Sequence, residues 1–332
     1  MKKKVLILGV SGQDGSLLAE HLVKKNILVY GLLRKSSNRN YANLEKVKNK
    51  KNFKVVNGDM LDIFSIERNI KEIKPDEIYN FADQDHVTWS YHIPSYSFDI
   101  TAFSVLKILE VIKNHSKKTK FFQPFTSNMF GNISKSKLNE KEKFAPLSIY
   151  ALAKASAFHI CEFYKKIFNL KIYGAIFFNH ESERRTPEYV TRKITKSVAR
   201  IFYKKQKKLF LGDIKTKIDW GYARDYVEAA YNMMQLKQPD YFVIGSGKAC
   251  TIEYFAKKCF DYVGLNYKKF IFIDKKLLRK TKNKTLVADT SKAKKKFKFK
   301  IKTDINKLIK IMMDNDLKLE KNDWKFNFAM YV

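Results

Sequence analysis

The stretch from Val5 to Gly15 restricts what this chain can fold into more than any other. Val5-Leu6-Ile7-Leu8 is an unbroken apolar run of the kind that fills the middle of a parallel sheet. Gly9-Val10-Ser11-Gly12-Gln13-Asp14-Gly15 follows at once, and an amphipathic helix opens at Ser16. Gly9 allows a sharp turn, Gly12 lets the backbone approach a pyrophosphate, and Gly15 lets helix and strand pack closely; the free N–H groups at the helix start attract the phosphate charge. Three glycines alone are a weak signal, but their placement between a strand and a helix strengthens it greatly. Gly9, Gly12, Gln13, Asp14 and Gly15 are the candidate dinucleotide-binding residues of this loop.

The same strand-helix alternation continues down the chain. Leu28 to Leu33, Phe53 to Val56, Glu77 to Phe81, Lys120 to Phe122 and Lys171 to Phe178 read as strands, and Tyr96 to Lys113 as a long helix. The pattern is an α/β, Rossmann-like doubly wound parallel sheet with its ligand crevice at the C-terminal ends of the strands. After the second strand come Arg34-Lys35-Ser36-Ser37, where an NAD-binding chain usually places an acid on the ribose hydroxyls. Basic and hydroxyl groups there suit a 2′-phosphate, which favours NADP with Arg34 as its partner over a merely solvated basic turn. Asp59 and Met60, after the third strand, are placed to meet an adenine ring.

Beyond Phe178 the pattern loosens into shorter elements: a helix from Val190 to Tyr203, strands at Leu209 to Leu211 and Tyr241 to Ile244, and helices at Thr251 to Tyr262 and Asp304 to Leu317. The expected organisation is a cofactor-binding part over 1–178 that carries the catalytic residues. A smaller C-terminal α/β substrate-binding part, interleaved with the first part's sheet, covers 179–332. Phe297, Phe299 and Ile301 alternate with lysines, as in an exposed strand edge.

The formal charge of +33 raises the question of nucleic acid. The lysines are scattered in short runs, with no helix-turn-helix, zinc-finger or RNP pattern, so they read as solvated faces that also attract an anionic small substrate. No run of about 18 apolar residues is present to span a bilayer, and the N-terminus enters a strand without a signal-peptide pattern. A cytoplasmic protein with neither nucleic-acid nor membrane partners is expected. Cys161, Cys250 and Cys259 lack metal-type spacing and read as buried free thiols, with no metal site.

The candidate chemistry lies between Lys120 and Lys154. A strand runs into the polar loop Thr126-Ser127-Asn128, and Tyr150 and Lys154 fall one turn apart on an Ala-rich helix. An ammonium beside a phenol favours the phenolate, which would make Tyr150 a usable base. Tyr189/Lys193, Tyr203/Lys207 and Tyr254/Lys258 share that spacing, and each could be an ordinary helix surface. Only Tyr150/Lys154 coincides with Thr126 and with the loop Ala82-Asp83-Gln84-Asp85-His86-Val87, which follows the strand Glu77 to Phe81, at the sheet's C-terminal edge.

The motifs together resemble those of the extended short-chain dehydrogenase/reductases and, within them, the GDP-mannose 4,6-dehydratase family. The resemblance runs from end to end: the Gly9–Ser16 loop, Lys74-Pro75-Asp76-Glu77-Ile78-Tyr79-Asn80, Phe178-Asn179-His180-Glu181-Ser182 with Arg184-Arg185, Val190-Thr191-Arg192-Lys193-Ile194, and Asp219-Trp220-Gly221 with Asp225-Tyr226-Val227. It implies a lyase with a hidden redox cycle. Tyr150, assisted by Lys154 and Thr126, would take the sugar's 4-hydroxyl proton as NADP accepts the C4 hydride; a base would remove the C5 proton as the 6-hydroxyl leaves; and the hydride would return to C6. It also implies a GDP-sugar bound by Asn179, Lys193, Lys217 and Arg279, and a homodimer or homotetramer.

The chain departs from that family in ways that bear on the chemistry. The family's C5 base, a Glu two residues after the Thr, is here Asn128, and an amide cannot take up a proton at neutral pH. A small Ser of the family aligns with Asp85, which brings a carboxylate toward the sugar, as a replacement base or as a solvated loop residue. At the nucleotide end the family's Arg before Asp219 is Ile218, with Lys217 as a substitute, and a ribose-binding Glu has become Lys282. The expected activity is conversion of GDP-mannose to GDP-4-keto-6-deoxymannose; the alternative is a C4 oxidoreductase or epimerase of the same fold that does not eliminate water.

Overall fold

The computed structural model describes residues 2–35, 41–133, 137–278 and 285–329, the side chains of 323–329 excepted. Its strands and helices alternate at first: β1 (Lys4–Leu8), α1 (Gln13–Lys24), β2 (Leu28–Leu33), β3 (Phe53–Asn57), α2 (Ile63–Ile73) and β4 (Glu77–Asn80). Then follow α3 (Val87–His92), α4 (Pro94–Phe98), α5 (Ser104–His115), β5 (Lys120–Thr126), α6 (Ile149–Ile167), β6 (Ile172–Phe177) and β7 (Asn179–Glu181). The remainder holds α7 (Val190–Phe202), β8 (Leu209–Leu211), β9 (Lys217–Ile218), β10 (Trp220–Tyr222), α8 (Ala223–Met234), β11 (Tyr241–Ile244), β12 (Cys250–Thr251), α9 (Ile252–Tyr262), β13 (Ile271–Ile273), α10 (Ser291–Phe297) and α11 (Ile305–Ala329).

Seven strands form one parallel sheet in the order β3-β2-β1-β4-β5-β6-β11. β1 lies where the order reverses, between β2 (Leu6 opposite Tyr30) and β4 (Leu6 opposite Ile78). Its unbroken hydrophobicity follows from that place: Leu6 and Leu8 face one core cluster, Val5 and Ile7 the other, and all four are fully buried. Each such side chain contributes about 1.5–3 kcal/mol. The strand after residue 178 that completes this sheet is β11, while α7, β8, β10, α9 and α11 surround a third cluster built on Trp220, Phe255, Phe260 and Met312.

Several elements differ from the sequence expectation. β5 runs on past Phe122 to Thr126, through Pro124. Its ladder to β4 ends at Phe122, and the Asn80 amide then bonds the Gln123 side chain at 2.8 Å, so the missing N–H of Pro124 leaves no β4 partner unsatisfied. The helix expected from Tyr96 starts earlier and is broken: Pro94 opens α4 after the α3 cap at Ile93, and a π-helical turn, Asp99–Phe103, separates α4 from α5. Ser97 and Ser104 hydroxyls bond back to the Ile93 and Ile100 carbonyls on either side of that turn. The segment with Phe297 and Phe299 is not a strand edge. Phe297 ends α10 with its ring 5.1 Å from that of Phe242, Lys298 turns the chain at φ 56°, and Phe299 is buried. α11 extends past Leu317 to Ala329. Cys161 and Cys259 are buried and Cys250 half-buried, all three free.

Candidate active site

Gly9 leaves β1 at φ 74°, and a Cβ there would lie 2.6 Å from the Phe81 and Ala82 backbone. Gly15 is buried, and its added Cβ would lie 2.3 Å from the Gly9 carbonyl oxygen. Gly12 differs: it is exposed, its added Cβ would come no closer than 3.4 Å to the chain, and it caps α1 without a side-chain bond. The loop is therefore tight against its own strand and open outward at Gly12, beside the first-turn N–H groups, which have no partner within a helix. This cradle fits the pyrophosphate of a nicotinamide dinucleotide.

The Gln13 and Asp14 side chains turn sideways from the cradle. Gln13 Nε2 donates to the His180 carbonyl at 3.2 Å and its Oε1 accepts from Ser182 at 2.8 Å, while Asp14 Oδ2 meets His180 Nε2 at 2.7 Å. They thus join the loop to β7, and Arg184, paired with Glu20 of α1, reinforces the junction. Burial opposes the charge on Asp14, but His180 outweighs it and the carboxyl lies below its ordinary range. Burial likewise pulls His180 down, and Asp14 overcomes this to raise it.

Arg34 is exposed at the end of β2, with its guanidinium 3.4 Å from the Tyr96 hydroxyl; Ser36 and Ser37 lie outside the described residues. Asp59 follows β3 and accepts from Leu61 N–H at 2.9 Å, and Met60 is packed into the core beside it.

β5 delivers Thr126 to the C-terminal edge of the sheet, where its hydroxyl caps the 3-10 turn Ser127–Phe130 by accepting from Asn128 N–H at 3.3 Å. Asn128 is half-buried in that turn. Ser148 caps α6 by accepting from Ala151 N–H at 3.1 Å, which places Tyr150 and Lys154 on the first turns of the helix. The Tyr150 N–H bonds Ser90 Oγ of α3 at 3.2 Å, and both side chains are buried.

Lys154 does not act on Tyr150 as its spacing alone suggests. Its ammonium lies 6.0 Å from the Tyr150 ring centre, donates to the Pro124 carbonyl at 2.8 Å, and is paired with the Asp83 carboxylate. Burial first, then the charges of Asp83 and Asp85 and the Tyr189 phenol, hold the Tyr150 hydroxyl well above its ordinary value of 10, against a hydrogen bond from Thr126 that works the other way. In the chain by itself Tyr150 is a proton donor, and an added positive charge is needed to make it a base.

Asp85 is exposed and bonds Arg185 at 3.0 Å; that guanidinium also pairs with Glu181 and stacks 3.3 Å over the Tyr189 ring. Tyr189, set aside in the sequence as one of the look-alike pairs, therefore stands beside Tyr150 at the start of α7. Its hydroxyl is buried and, among the described residues, makes no hydrogen bond of ordinary geometry, a group a substrate could satisfy. Lys193, one turn on, is half-buried and held below its ordinary range by burial, against Asp274. Asn179 and Lys217 are exposed on β7 and β9; Arg279 and Lys282 lie outside the described residues. Asp83, Thr101 and Arg185 are members of this site that the sequence reading missed. The alternation of Asp83 and Asp85 after a buried strand was the signal for the first. Among the described residues no group of three or more His, Cys, Asp or Glu is placed to hold a metal ion.

The chain is similar to known proteins along its length. A family model described as GDP-mannose 4,6 dehydratase matches residues 6–312. GDP-mannose 4,6 dehydratase 1 of Arabidopsis thaliana is 40% identical over 341 residues, covering 100% of this chain and 94% of that protein. Among solved structures, dTDP-glucose 4,6-dehydratase from Bacillus anthracis in complex with NAD superposes with a TM-score of 0.83 at 20% identity, covering 97% of this chain and 98% of that one. RMD from Pseudomonas aeruginosa complexed with NADPH does so at 0.79 and 16%, covering 96% and 99%. Both structural likenesses concern the fold.

Proposed function

The chain belongs to the GDP-mannose 4,6-dehydratase family, and on that premise we propose that it is an NADP-dependent lyase converting GDP-mannose to GDP-4-keto-6-deoxymannose. The observation that carries the reading is the placement of Thr126, Tyr150 and Lys154, all buried, at the C-terminal edge of the same sheet whose first loop forms the open cradle at Gly12. When bound, the cofactor supplies a hydride acceptor at the sugar's C4 and returns the hydride to C6, so the net reaction is loss of water.

The chain's own residues handle the protons. Thr126 Oγ would orient the sugar's 4-oxygen and Tyr150 would accept the 4-hydroxyl proton, its phenolate favoured by the positive charge that an oxidised nicotinamide would supply. Lys154 has three N–H donors; with Pro124 and Asp83 engaged, the third would be available to hold a ribose hydroxyl of the cofactor. The C5 proton needs a base other than Asn128. Of the two acids after β4, Asp83 is half-buried and held by both Lys154 and Thr101, whereas Asp85 is exposed and held by Arg185 through one oxygen, so Asp85 is the proposed base. Asp85→Asn with dehydration intact would remove it from that role.

Arg34 favours NADP over NAD by offering a guanidinium to the 2′-phosphate, and Lys193, Lys217, Asn179 and Arg279 are the proposed contacts of the GDP-sugar. Residues 1–178 form the cofactor and catalytic part and 179–332 mainly the substrate part. The proposed assembly is a homodimer or homotetramer in the cytoplasm. Trp89, Tyr91, Phe103 and Leu152, all exposed on α3, the π turn and α6, support association; among the described residues no helix is long and apolar enough to cross a membrane.

The test is incubation with NADP+ and GDP-mannose in heavy water, followed by mass analysis of the sugar. Loss of water with deuterium at C5 is the expected outcome. Asn128 specifically favours a second reading, C4 oxidation or epimerisation without elimination. Accumulated NADPH with the 6-hydroxyl retained would establish oxidation, and an inverted C4 would establish epimerisation.

A further inference from the structure

We infer that Asp83, anchored by Thr101, is a positioning residue for the Tyr150–Lys154 pair: it holds the ammonium group at the end of β5 and offsets its charge beside the phenol. Asp83 Oδ2 pairs with Lys154 Nζ, and Oδ1 accepts from Thr101 Oγ1 at 2.5 Å. The two charged side chains retain only 13% and 4% of their exposure. Burying an ion pair gives little stability once its desolvation is counted, so position and charge are the better account of why this one is present.

Thr101 comes from the π-helical turn between α4 and α5, a rare geometry that recurs at functional sites. Its own burial is nearly complete, so the acid it anchors has little freedom to leave the ammonium. The Pro124 carbonyl grips Lys154 from β5. The ammonium is thereby fixed from two elements outside its own helix before any ligand arrives.

The electrostatic consequence concerns Tyr150. It is faced by Asp83 and Asp85 from the loop after β4, Tyr189 from the start of α7, Thr126 from β5 and Lys154 from its own helix, while Arg185 draws off part of the Asp85 charge. With Lys154 matched by Asp83, the phenol stays protonated in the chain alone. Removing the Asp83 charge while keeping its shape leaves the ammonium uncompensated, which favours the phenolate. The expected change is a downward shift of about one pH unit or more, the size of a unit charge acting over roughly 6–8 Å at an effective dielectric constant near 20.

This inference rests on Tyr150 being the proton acceptor, and the measurement separates the two. Phenolate absorbance is titrated, with NADP+ present, as the difference between the parent protein and Tyr150→Phe, and again as the difference between Asp83→Asn and the Asp83→Asn/Tyr150→Phe double variant. A lower ionisation pH in the Asp83→Asn pair is expected; an unmoved one overturns the inference, whether or not the protein turns over. Undiminished turnover by Tyr150→Phe would instead overturn the functional reading and leave this titration decisive for Asp83. Thr101→Val retains the charge and removes its anchor, so it is expected to lower kcat with little movement of the ionisation. A shift equal to that of Asp83→Asn would overturn the assignment of the effect to charge.

Discussion

Gly12 and Gly15 lie three positions apart in one loop, yet substituting Ala at each should damage different properties. At Gly15 the new Cβ would lie 2.3 Å from the Gly9 carbonyl oxygen and 2.9 Å from Val10 Cα, both backbone atoms of the turn that leaves β1. Neither can move without shifting α1 off the sheet, so the change is an overpacking of the kind that costs about 1–3 kcal/mol. Ala improves helix propensity by about 0.8–1.0 kcal/mol relative to Gly, which offsets part of the loss. Because the clash is with fixed backbone at 2.3 Å the cost lies toward the upper end of that range, leaving Gly15→Ala less stable by up to roughly 2 kcal/mol. At Gly12 the nearest atom to an added Cβ is 3.4 Å away and the backbone sits at φ −68° and ψ 176°, a conformation open to Ala. Its stability should fall by no more than about 1 kcal/mol, the usual difference between Gly and Ala at a helix N-cap. The methyl group instead enters the cradle, and NADP affinity should fall at least about tenfold, or 1.4 kcal/mol. Urea unfolding without cofactor and NADP+ titration by calorimetry read the two effects separately. Gly12→Ala binding NADP at the parent's affinity would refute the assignment of this loop as the phosphate cradle, and equal destabilisation by the two substitutions would refute the geometric distinction.

Tyr150→Phe, which keeps the ring and removes the proposed acid–base group, should lower kcat by about 10²–10⁴-fold with KM for the sugar nucleotide little changed, measured by loss of water from the sugar. Asn128→Glu placed in the Asp85→Asn background should restore C5 deuterium incorporation at least about tenfold, because position 128 lies in the turn directly after Thr126; no recovery would mean that position 128 does not reach C5. The Asp14–His180 pair gives stability a signed pH dependence. His180 is raised above 6.5, so its contribution is complete below that pH and is lost as pH rises through the folded-state value; Asp14 is lowered below 3.8, so its contribution is present above that pH and is lost on acidification. Denaturation midpoints of the parent and His180→Gln should therefore differ most between these limits and converge as the medium becomes alkaline. Trp89→Asp combined with Phe103→Asp should lower the assembly mass seen by sedimentation while leaving the circular dichroism spectrum intact; an unchanged mass would exclude this surface as the interface.

What could be read from the sequence, and what could not, divides along the range of the interactions involved. β1 was legible because both of its faces are buried, so Val5 to Leu8 could carry no polar residue, and the glycines after it answer to atoms only a few residues away. β5 beyond Phe122 was not, because whether Pro124 is tolerated depends on where β4 stops pairing, a fact carried by another strand. Phe297 and Phe299, expected on an exposed strand edge, are instead half-buried and buried, because Lys298 turns the backbone between them, so the period-two pattern described a bend and not a strand. The active site divides in the same way. The i, i+4 spacing put Lys154 near Tyr150, and the edge of the sheet distinguished that pair from its look-alikes. The sign of the electrostatic effect came from Asp83, distant in sequence, and from a π turn that no local propensity marks. A lysine beside a tyrosine is an activating contact only while its charge is free to act. On the reading proposed for this site, the partner that takes up that charge is as much a part of the acid–base chemistry as the pair itself, and the protonation of Tyr150 has to be argued from all of the groups facing it together.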